Sequence, residues 1–149
     1  MKQYLFSIIY LLLLSGCSSL KLTPVDYSWP LEAVMKVDDR GFVKEDRYSL
    51  KINVQNLFQE EFGVGMDFKG KTIRIIRNSI GTYFITAENF KNVYLFNQDL
   101  GSMNLVKKIA VSEVGLKNPF FNQRDSYIEL VDENLKLNLS NEGIIGDKK

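Results

Sequence analysis

The side chains that most often carry enzymatic chemistry are scarce in this sequence. Histidine is absent, and Cys17 is the only cysteine among 149 residues. Without histidine, the chain lacks the commonest general base and the commonest metal ligand of proteins. Ser-His-Asp and Cys-His catalytic groups and ordinary structural zinc sites are therefore excluded. A single cysteine also excludes a disulfide within the chain.

Pairs of adjacent carboxylates are the remaining candidates for acid–base catalysis. They are Asp38-Asp39, Glu60-Glu61 and Asp132-Glu133. Two carboxylates can together hydrolyse a glycoside, but neighbouring residues of a strand point to opposite faces. We therefore interpret each pair as part of a hairpin loop or a solvated turn. The segment 38–41 begins like a calcium-binding loop but lacks the later ligands of an EF-hand. We predict no catalytic, metal-binding or cofactor-binding residues, and we expect that the protein is not an enzyme.

The first seventeen residues have the layout of a secretion signal. Lys2 precedes an apolar run over residues 4–14, and a basic start before roughly 7–15 apolar residues is typical of such signals. The run is too short to cross a bilayer as a helix, which takes about 20 residues. It ends in Leu14-Ser15-Gly16-Cys17. This ending resembles the lipobox of bacterial lipoproteins.

The lipobox resemblance implies that Cys17 is the first residue of the mature protein. Residues 1–16 are then the cleaved signal peptide, and a diacylglyceryl group is attached to the Cys17 sulfur. In many such bacteria the new amino terminus is acylated too. Two or more acyl chains hold a protein stably at a membrane, whereas one chain binds only marginally. The resemblance thus implies membrane lipid as a partner, with no cofactor other than the covalent lipid.

The residue after Cys17 bears on the membrane that is reached. Serine at this position, here Ser18, resembles the outer-membrane signal of lipoproteins that sort by this residue, since aspartate is the usual retention mark. No acidic cluster follows Cys17 of the kind that marks surface-displayed lipoproteins in some bacteria. We therefore expect an outer-membrane protein that faces the periplasm.

Residues 17–30 are predicted to form a lipidated, extended tether. Pro24 and Pro30 favour extended backbone, and the segment has little periodicity. Trp29, the only tryptophan, allows two interpretations. Its ring packs against the folded domain, or it anchors a partner or the membrane interface.

The charge of the chain gives no reason to expect a nucleic-acid partner. The sequence holds 19 basic and 18 acidic residues, and one of the basic residues, Lys2, belongs to the signal. Nucleic-acid binding favours a clustered basic surface. We therefore predict that the protein binds no nucleic acid.

Residues 31–145 have the pattern of an all-β domain. Apolar residues alternate with polar ones from Tyr48 to Val54 and again from Leu135 to Leu139, and period two predicts half-buried antiparallel strands. Residues rich in β-branched and aromatic side chains predict further strands at 31–37, 40–44, 72–77, 82–86, 93–96, 103–111 and 126–131. We predict a single antiparallel β-sandwich or barrel-like domain of roughly seven to nine strands.

Turns and short helices complete the prediction. Residues 78–81, 99–102 and 132–134 are rich in Asn, Asp, Ser and Gly, which suit hairpin loops. At most one or two short helical turns are expected, over 54–62 and over 86–90, where Thr86 would be the N-cap. Residues 146–149 are predicted to form a flexible tail.

Two segments offer candidate partner-binding aromatic residues, in addition to Trp29. Residues 93–96, which include Tyr94, are apolar on both faces; they form a central strand, or a strand with one face on a partner. Phe120 and Phe121 precede Arg124 in a Pro- and Asn-flanked segment. Exposed aromatic residues beside arginine are typical of interface hot spots. Alternatively, both rings cap the end of the core.

Two functions therefore remain open at the level of the sequence. The first is a membrane-anchored, non-enzymatic adaptor that binds an envelope protein or complex, which predicts an exposed apolar patch. The alternative is a small β-domain that binds a lipid, glycan or other small molecule, which predicts a cavity of roughly 300–1,000 Å³.

Overall fold

The computed structural model describes residues 31–46, 50–124 and 126–146. These residues form eleven strands and one α-helix. The strands are β1 (Ala33–Lys36), β2 (Phe42–Glu45), β3 (Leu50–Asn53), β4 (Thr72–Arg77), β5 (Thr82–Ala87), β6 (Asn92–Asp99), β7 (Ser102–Ala110), β8 (Phe120–Gln123), β9 (Ile128–Asp132), β10 (Leu135–Ser140) and β11 (Gly143–Ile145). The helix, α1 (Gln55–Phe62), follows β3. Within this part of the chain, no helix is long and apolar enough to span a membrane.

The strands form three antiparallel sheets. A five-stranded sheet has the order β1-β4-β5-β6-β7, a four-stranded sheet has the order β11-β10-β9-β8, and β2 pairs with β3. The domain is therefore all-β and sandwich-like, as the sequence predicts. The strand number exceeds the predicted seven to nine because β8 and β11 are short strands in segments without a clear alternation.

The five-stranded sheet is the central layer because both of its faces are buried. On one face, Ile73, Ile85 and Tyr94 pack with Leu57 and Phe58 of α1. The paired strands β2 and β3 cover this face of the sheet together with α1, and Val43 of β2 belongs to the same core cluster. Fully burying one such side chain contributes about 1.5–3 kcal/mol. The first core thus holds α1 and the β2–β3 pair against the sheet.

The opposite face of the five-stranded sheet packs against the four-stranded sheet. Ile76, Phe84 and Leu95 alternate with the residues of the first core and are buried. They meet inward-facing residues of the second sheet, among them Phe121 and Leu130. This second core is the interior of the sandwich proper.

Two predictions about short helices have different outcomes. The predicted turn over 54–62 is confirmed as α1, which begins at Gln55. The prediction that Thr86 caps a helix is wrong, because Thr86 remains in β5 and is fully buried. Its hydroxyl donates a 2.9 Å hydrogen bond to the Asn92 backbone oxygen and so closes the β5–β6 connection.

Strand directions place the loops at two ends of the sandwich. β1, β5 and β7 begin, and β4 and β6 end, at the same end, because neighbouring strands are antiparallel. Leu31, the 78–81 loop and the Leu100-Gly101 turn lie at this end, which we call the Leu31 end. The 88–91 and 111–119 connections lie at the opposite end. The two sheets are joined at the Leu31 end, where Asn78 Nδ2 donates to Asn141 Oδ1 at 2.9 Å.

Candidate functional site

Two of the aromatic residues predicted to bind a partner are not accessible. Tyr94 is fully buried in the first core, and Phe121 is buried in the second. As candidate partner-binding residues both are therefore corrected, and the alternative interpretation, in which they belong to the core, describes them. β6 is covered on both faces, and Phe121 points inward from β8 because its neighbour Phe120 points outward.

The other predicted residues are separated in the structure. Phe120 is partly exposed on the outer face of the four-stranded sheet, opposite Val131. Arg124 lies beyond the end of β8, where its guanidinium is 2.7 Å from Glu129 Oε2 and is neutralised by it. Phe120 and Arg124 thus do not form one patch. Cys17 and Trp29 lie outside the described residues.

The Glu129 carboxylate is the centre of a closed ion-pair cluster. Its side chain is almost completely covered, and Lys136 Nζ contacts Oε1 at 2.8 Å while Arg124 and Asn122 contact Oε2. The hydrogen bond from Lys136, supported by those from Arg124 and Asn122, lowers the pKa of Glu129 to about 2. A carboxylate held this way is a poor general base. The cluster therefore stabilises β8, β9 and β10 rather than performing catalysis.

The Glu60-Glu61 pair is part of α1. It is not in the loop or solvated turn that we expect for such a pair from the sequence. Glu61 accepts hydrogen bonds from the Tyr94 hydroxyl at 2.9 Å, from Asn92 Nδ2 at 2.7 Å and from the Lys91 backbone N–H at 2.9 Å. Burial, followed by the hydrogen bond to Glu61, raises the pKa of Tyr94 well above its usual range. The Tyr94 hydroxyl is therefore not prepared to give up its proton near neutral pH. The hydrogen bonds of Glu61 fasten the helix to the sheet.

The remaining carboxylate pairs also have structural partners. Asp38 Oδ1 accepts the backbone N–H groups of Arg40 and Phe42, each at 2.8 Å, which confirms the predicted turn. The hydrogen bond from Phe42 is the main cause that lowers the pKa of Asp38. Asp132 is buried rather than solvated, and its carboxylate accepts the Lys117 N–H at 3.0 Å. Residues 31–46, 50–124 and 126–146 contain no group of three or more metal-ligating side chains arranged for an ion.

An exposed strand edge is the most distinctive surface of the molecule. β7 is nine residues long and pairs only with β6 among the described strands. Leu105 and Val106 are half exposed on it. The register of β6 and β7 shifts at this point, so Val106 is the extra residue of a β-bulge. We call the free side of β7, with Leu105 and Val106, the β7 edge.

The second sheet contributes to the same side of the molecule. Lys107 Nζ donates to the Glu142 backbone oxygen at 2.8 Å, which brings the β10–β11 turn to β7. β11 is itself an edge strand, and Ile144 and Ile145 are partly exposed on it. The sequence predicts the strand at 103–111, but it does not reveal these residues as a surface. Edge position depends on sheet order, which no local pattern encodes.

A cleft lies between β3, the start of α1 and the β6–β7 hairpin. Its volume is about 330 Å³, and it is open to solvent. Ile52, Leu57, Phe96 and Met103 form its apolar part. Polar lining residues are Lys51, Asn53 and Asn56. The cleft is large enough for a small molecule.

Comparisons with known proteins identify no relative that would assign either surface a role: no family model, no curated protein and no solved structure matches the chain.

Proposed function

We propose that the protein is a lipid-anchored, non-enzymatic adaptor that binds an envelope protein through the β7 edge. It is held at the outer membrane by the lipid on Cys17 and faces the periplasm. The lipobox at Leu14-Ser15-Gly16-Cys17 supports the anchor. The occupied carboxylates and the lack of histidine support a binding role rather than a catalytic one.

The single observation that carries the adaptor proposal is the contrast between β7 and the other edge strands. β1, β2, β3 and β8 have four residues each, and β11 has three, whereas β7 has nine. Glu32 Oε1 also accepts the Phe121 backbone N–H of β8 at 2.9 Å, so part of that edge is occupied. Short or covered edges resist pairing with another chain. The β7 edge is the long one that remains.

A partner strand added to β7 would gain both backbone and side-chain contacts. The unpaired N–H and C=O groups of an edge strand offer main-chain hydrogen bonds to an extended peptide. Leu105 and Val106 supply apolar area beside them. The bulge at Val106 interrupts regular pairing, so we expect a short added strand of about four residues on one side of it.

Site-specific photo-crosslinking in intact cells tests this proposal. A photoreactive residue at Val106 is compared with one at Val34, which lies on the β1 edge and is similarly exposed, 55% against 52%. We expect Val106 to give a reproducible crosslinked protein that Val34 does not give. The same product must disappear in Leu105→Lys, because a charge at the edge opposes strand addition. Equal products from both positions, or none from Val106, would contradict the proposal.

The anchor is tested separately with Cys17→Ala. The variant should lose the acyl chains and the lipoprotein-type processing, which mass spectrometry of the intact protein measures. Membrane fractions should then lack the protein. A variant that remained membrane-bound in the same processed form would show that the lipobox interpretation is wrong.

The cleft favours a second candidate function, the binding of a small, mainly apolar molecule. Its volume of about 330 Å³ is at the lower limit of typical ligand sites. Met103→Trp would fill the cleft without changing a fully buried residue. A ligand would be detected by native mass spectrometry of protein purified from its own cells, and it should be absent from the Met103→Trp protein. Protein purified without any bound molecule would count against this candidate.

A further inference from the structure

We infer that the Leu31 end of the sandwich is a membrane-contacting surface, in which Ile80 and Leu100 insert among phospholipid headgroups. This inference rests on the proposed anchoring through Cys17. It adds an orientation of the domain relative to the membrane. The Leu31 end contacts the bilayer, and the opposite end points away from it.

Large aliphatic side chains occupy the loop tips at this end. Leu100 is 100% exposed and Ile80 is 75% exposed, and Leu31, before β1 at the same end of the sandwich, is also exposed. Leu100 is in a tight turn, where its backbone N–H is held by Asp99 Oδ1 at 2.7 Å. Turns of this kind favour Gly, Asn, Asp and Ser. Neither Ile80 nor Leu100 belongs to a core cluster, so most of their apolar surface remains in contact with solvent in the isolated domain.

Arg77 gives the same end a positively charged recess. A shallow depression of about 450 Å³ adjoins Ile80, and Arg77 is its only charged lining residue. The guanidinium lies over the Tyr83 ring at 5.6 Å and close to Gly81. An arginine beside aliphatic side chains that insert among headgroups is suited to bind a lipid phosphate. The other lining side chains, which include Asn97 and Gln98, are neutral hydrogen-bonding groups.

The course of the chain places this end next to the bilayer. Thirteen residues separate Cys17 from Leu31, and they reach at most about 45 Å when fully extended. The chain enters the domain at the Leu31 end, so this end is nearer to the anchor along the chain than the opposite end is. Tethering makes the second contact intramolecular, so a weak interaction is sufficient.

The opposite end supplies a matched comparison. Val114, in the connection between β7 and β8, is 87% exposed. It is also aliphatic and accessible, but it lies a full strand length from the point where the chain enters. The inference therefore predicts membrane contact at Ile80 and Leu100 and none at Val114.

Fluorescence depth measurements on the full-length acylated protein test the inference. Because lipidation occupies the Cys17 thiol, a single introduced cysteine is labelled specifically with an environment-sensitive fluorophore. Ser79→Cys and Ser102→Cys report on the Leu31 end without replacing Ile80 or Leu100. Glu113→Cys, beside Val114, reports on the opposite end. The protein is reconstituted into vesicles of phosphatidylethanolamine and phosphatidylglycerol, some containing headgroup-nitroxide lipids.

We expect blue-shifted emission and nitroxide quenching from the labels at 79 and 102, and neither effect from the label at 113. Adding Ile80→Ser and Leu100→Ser to the reporter proteins should abolish the quenching, whereas adding Val114→Ser should not. Equal, solvent-like emission from all three labels in vesicle-bound, lipidated protein would overturn the orientation while leaving the anchor intact.

Two further outcomes would also overturn the inference. A Cys17 without lipid by mass spectrometry would remove both the anchor and the orientation. A blue shift at 79 and 102 in native membranes, but not in vesicles of lipid alone, would mean that this end contacts a protein instead of the bilayer.

Discussion

The Tyr94 hydroxyl donates a 2.9 Å hydrogen bond to Glu61 Oε1, joining the middle of the five-stranded sheet to α1. Glu61 also accepts hydrogen bonds from Asn92 and Lys91, so one carboxylate serves three donors. The helix has no side-chain N-cap and only two buried residues. Its attachment to the sheet therefore depends on Glu61 as well as on packing.

Removing the carboxylate should destabilise the domain more than removing the hydroxyl. Tyr94→Phe leaves two donors on Glu61 and should lower the free energy of unfolding by about 1 kcal/mol. Glu61→Ala leaves three groups without an acceptor and should lower it by about 3 kcal/mol. Urea titration measures both. Glu60→Ala is the control, because the Glu60–Lys108 pair is partly exposed and should contribute below about 1 kcal/mol.

The Glu129 cluster predicts a specific loss of stability in acid. The folded pKa of about 2 lies below the reference value of 4.5. The stabilisation is therefore fully present above pH 4.5 and is lost as the pH falls through 2. Glu129→Gln should lower the free energy of unfolding by about 2 kcal/mol at neutral pH. It should also flatten the pH dependence in this window.

Denaturant midpoints measured from neutral pH down to about 2 test the Glu129 prediction. Glu133→Gln serves as the control, because Glu133 is exposed and pairs only with Lys117 at the surface. A wild-type protein whose stability stays constant through the window would refute the role of Glu129.

Glu32 should respond to two substitutions in different ways. Its carboxylate bonds to Arg74 at 2.8 Å and to the Phe121 N–H at 2.9 Å, but burial raises its pKa despite both partners. Glu32→Gln keeps an acceptor for Phe121 but leaves the Arg74 guanidinium without its counter-charge, so we expect a loss of about 1 kcal/mol. Glu32→Ala should lower the free energy of unfolding by about 2 kcal/mol. Similar losses for both variants in urea titration would contradict this account.

Gly115 is predicted to tolerate no side chain. Its φ is +99°, and a Cβ would lie 2.8 Å from the Asn89 backbone oxygen. The Leu116 N–H donates to the Phe90 oxygen at 2.9 Å and so joins the β7–β8 connection to the β5–β6 connection at this point. Gly115→Ala should lower the free energy of unfolding by about 3 kcal/mol. Gly101→Ala is the matched control: its φ is also positive, but nothing surrounds the site, so about 1 kcal/mol is expected.

Local alternation predicted most of the strands. β4 was predicted with its observed bounds, and β5 was predicted one residue short. The two-residue turn between β9 and β10 lies within the predicted loop at 132–134, and Glu133 has a positive φ there. The sequence does not predict β8, because Pro119 and its neighbours are typical of a loop. In the structure, β8 pairs with β9 over four residues.

Local alternation does not predict which strands are covered by another layer or which residues are exposed at a sheet edge. Tyr94 is in a segment that is apolar on both faces, and the sequence alone allowed a partner on one of them. The α1 layer occupies that face through Glu61, a contact over 33 positions. Similarly, the place of Leu105 on an edge strand depends on the order of the described strands in the sheet. Contacts between distant residues decide both cases.

The bonds of Glu32 also determine how the domain bears a mechanical load. Any pull through the chain before Leu31 acts first on β1, an edge strand that would peel from β4 one residue at a time. Glu32 is at the start of that strand and is bonded to Arg74 in one sheet and to Phe121 in the other. Both bonds must break before peeling can begin. The force therefore divides between the two sheets at its point of entry.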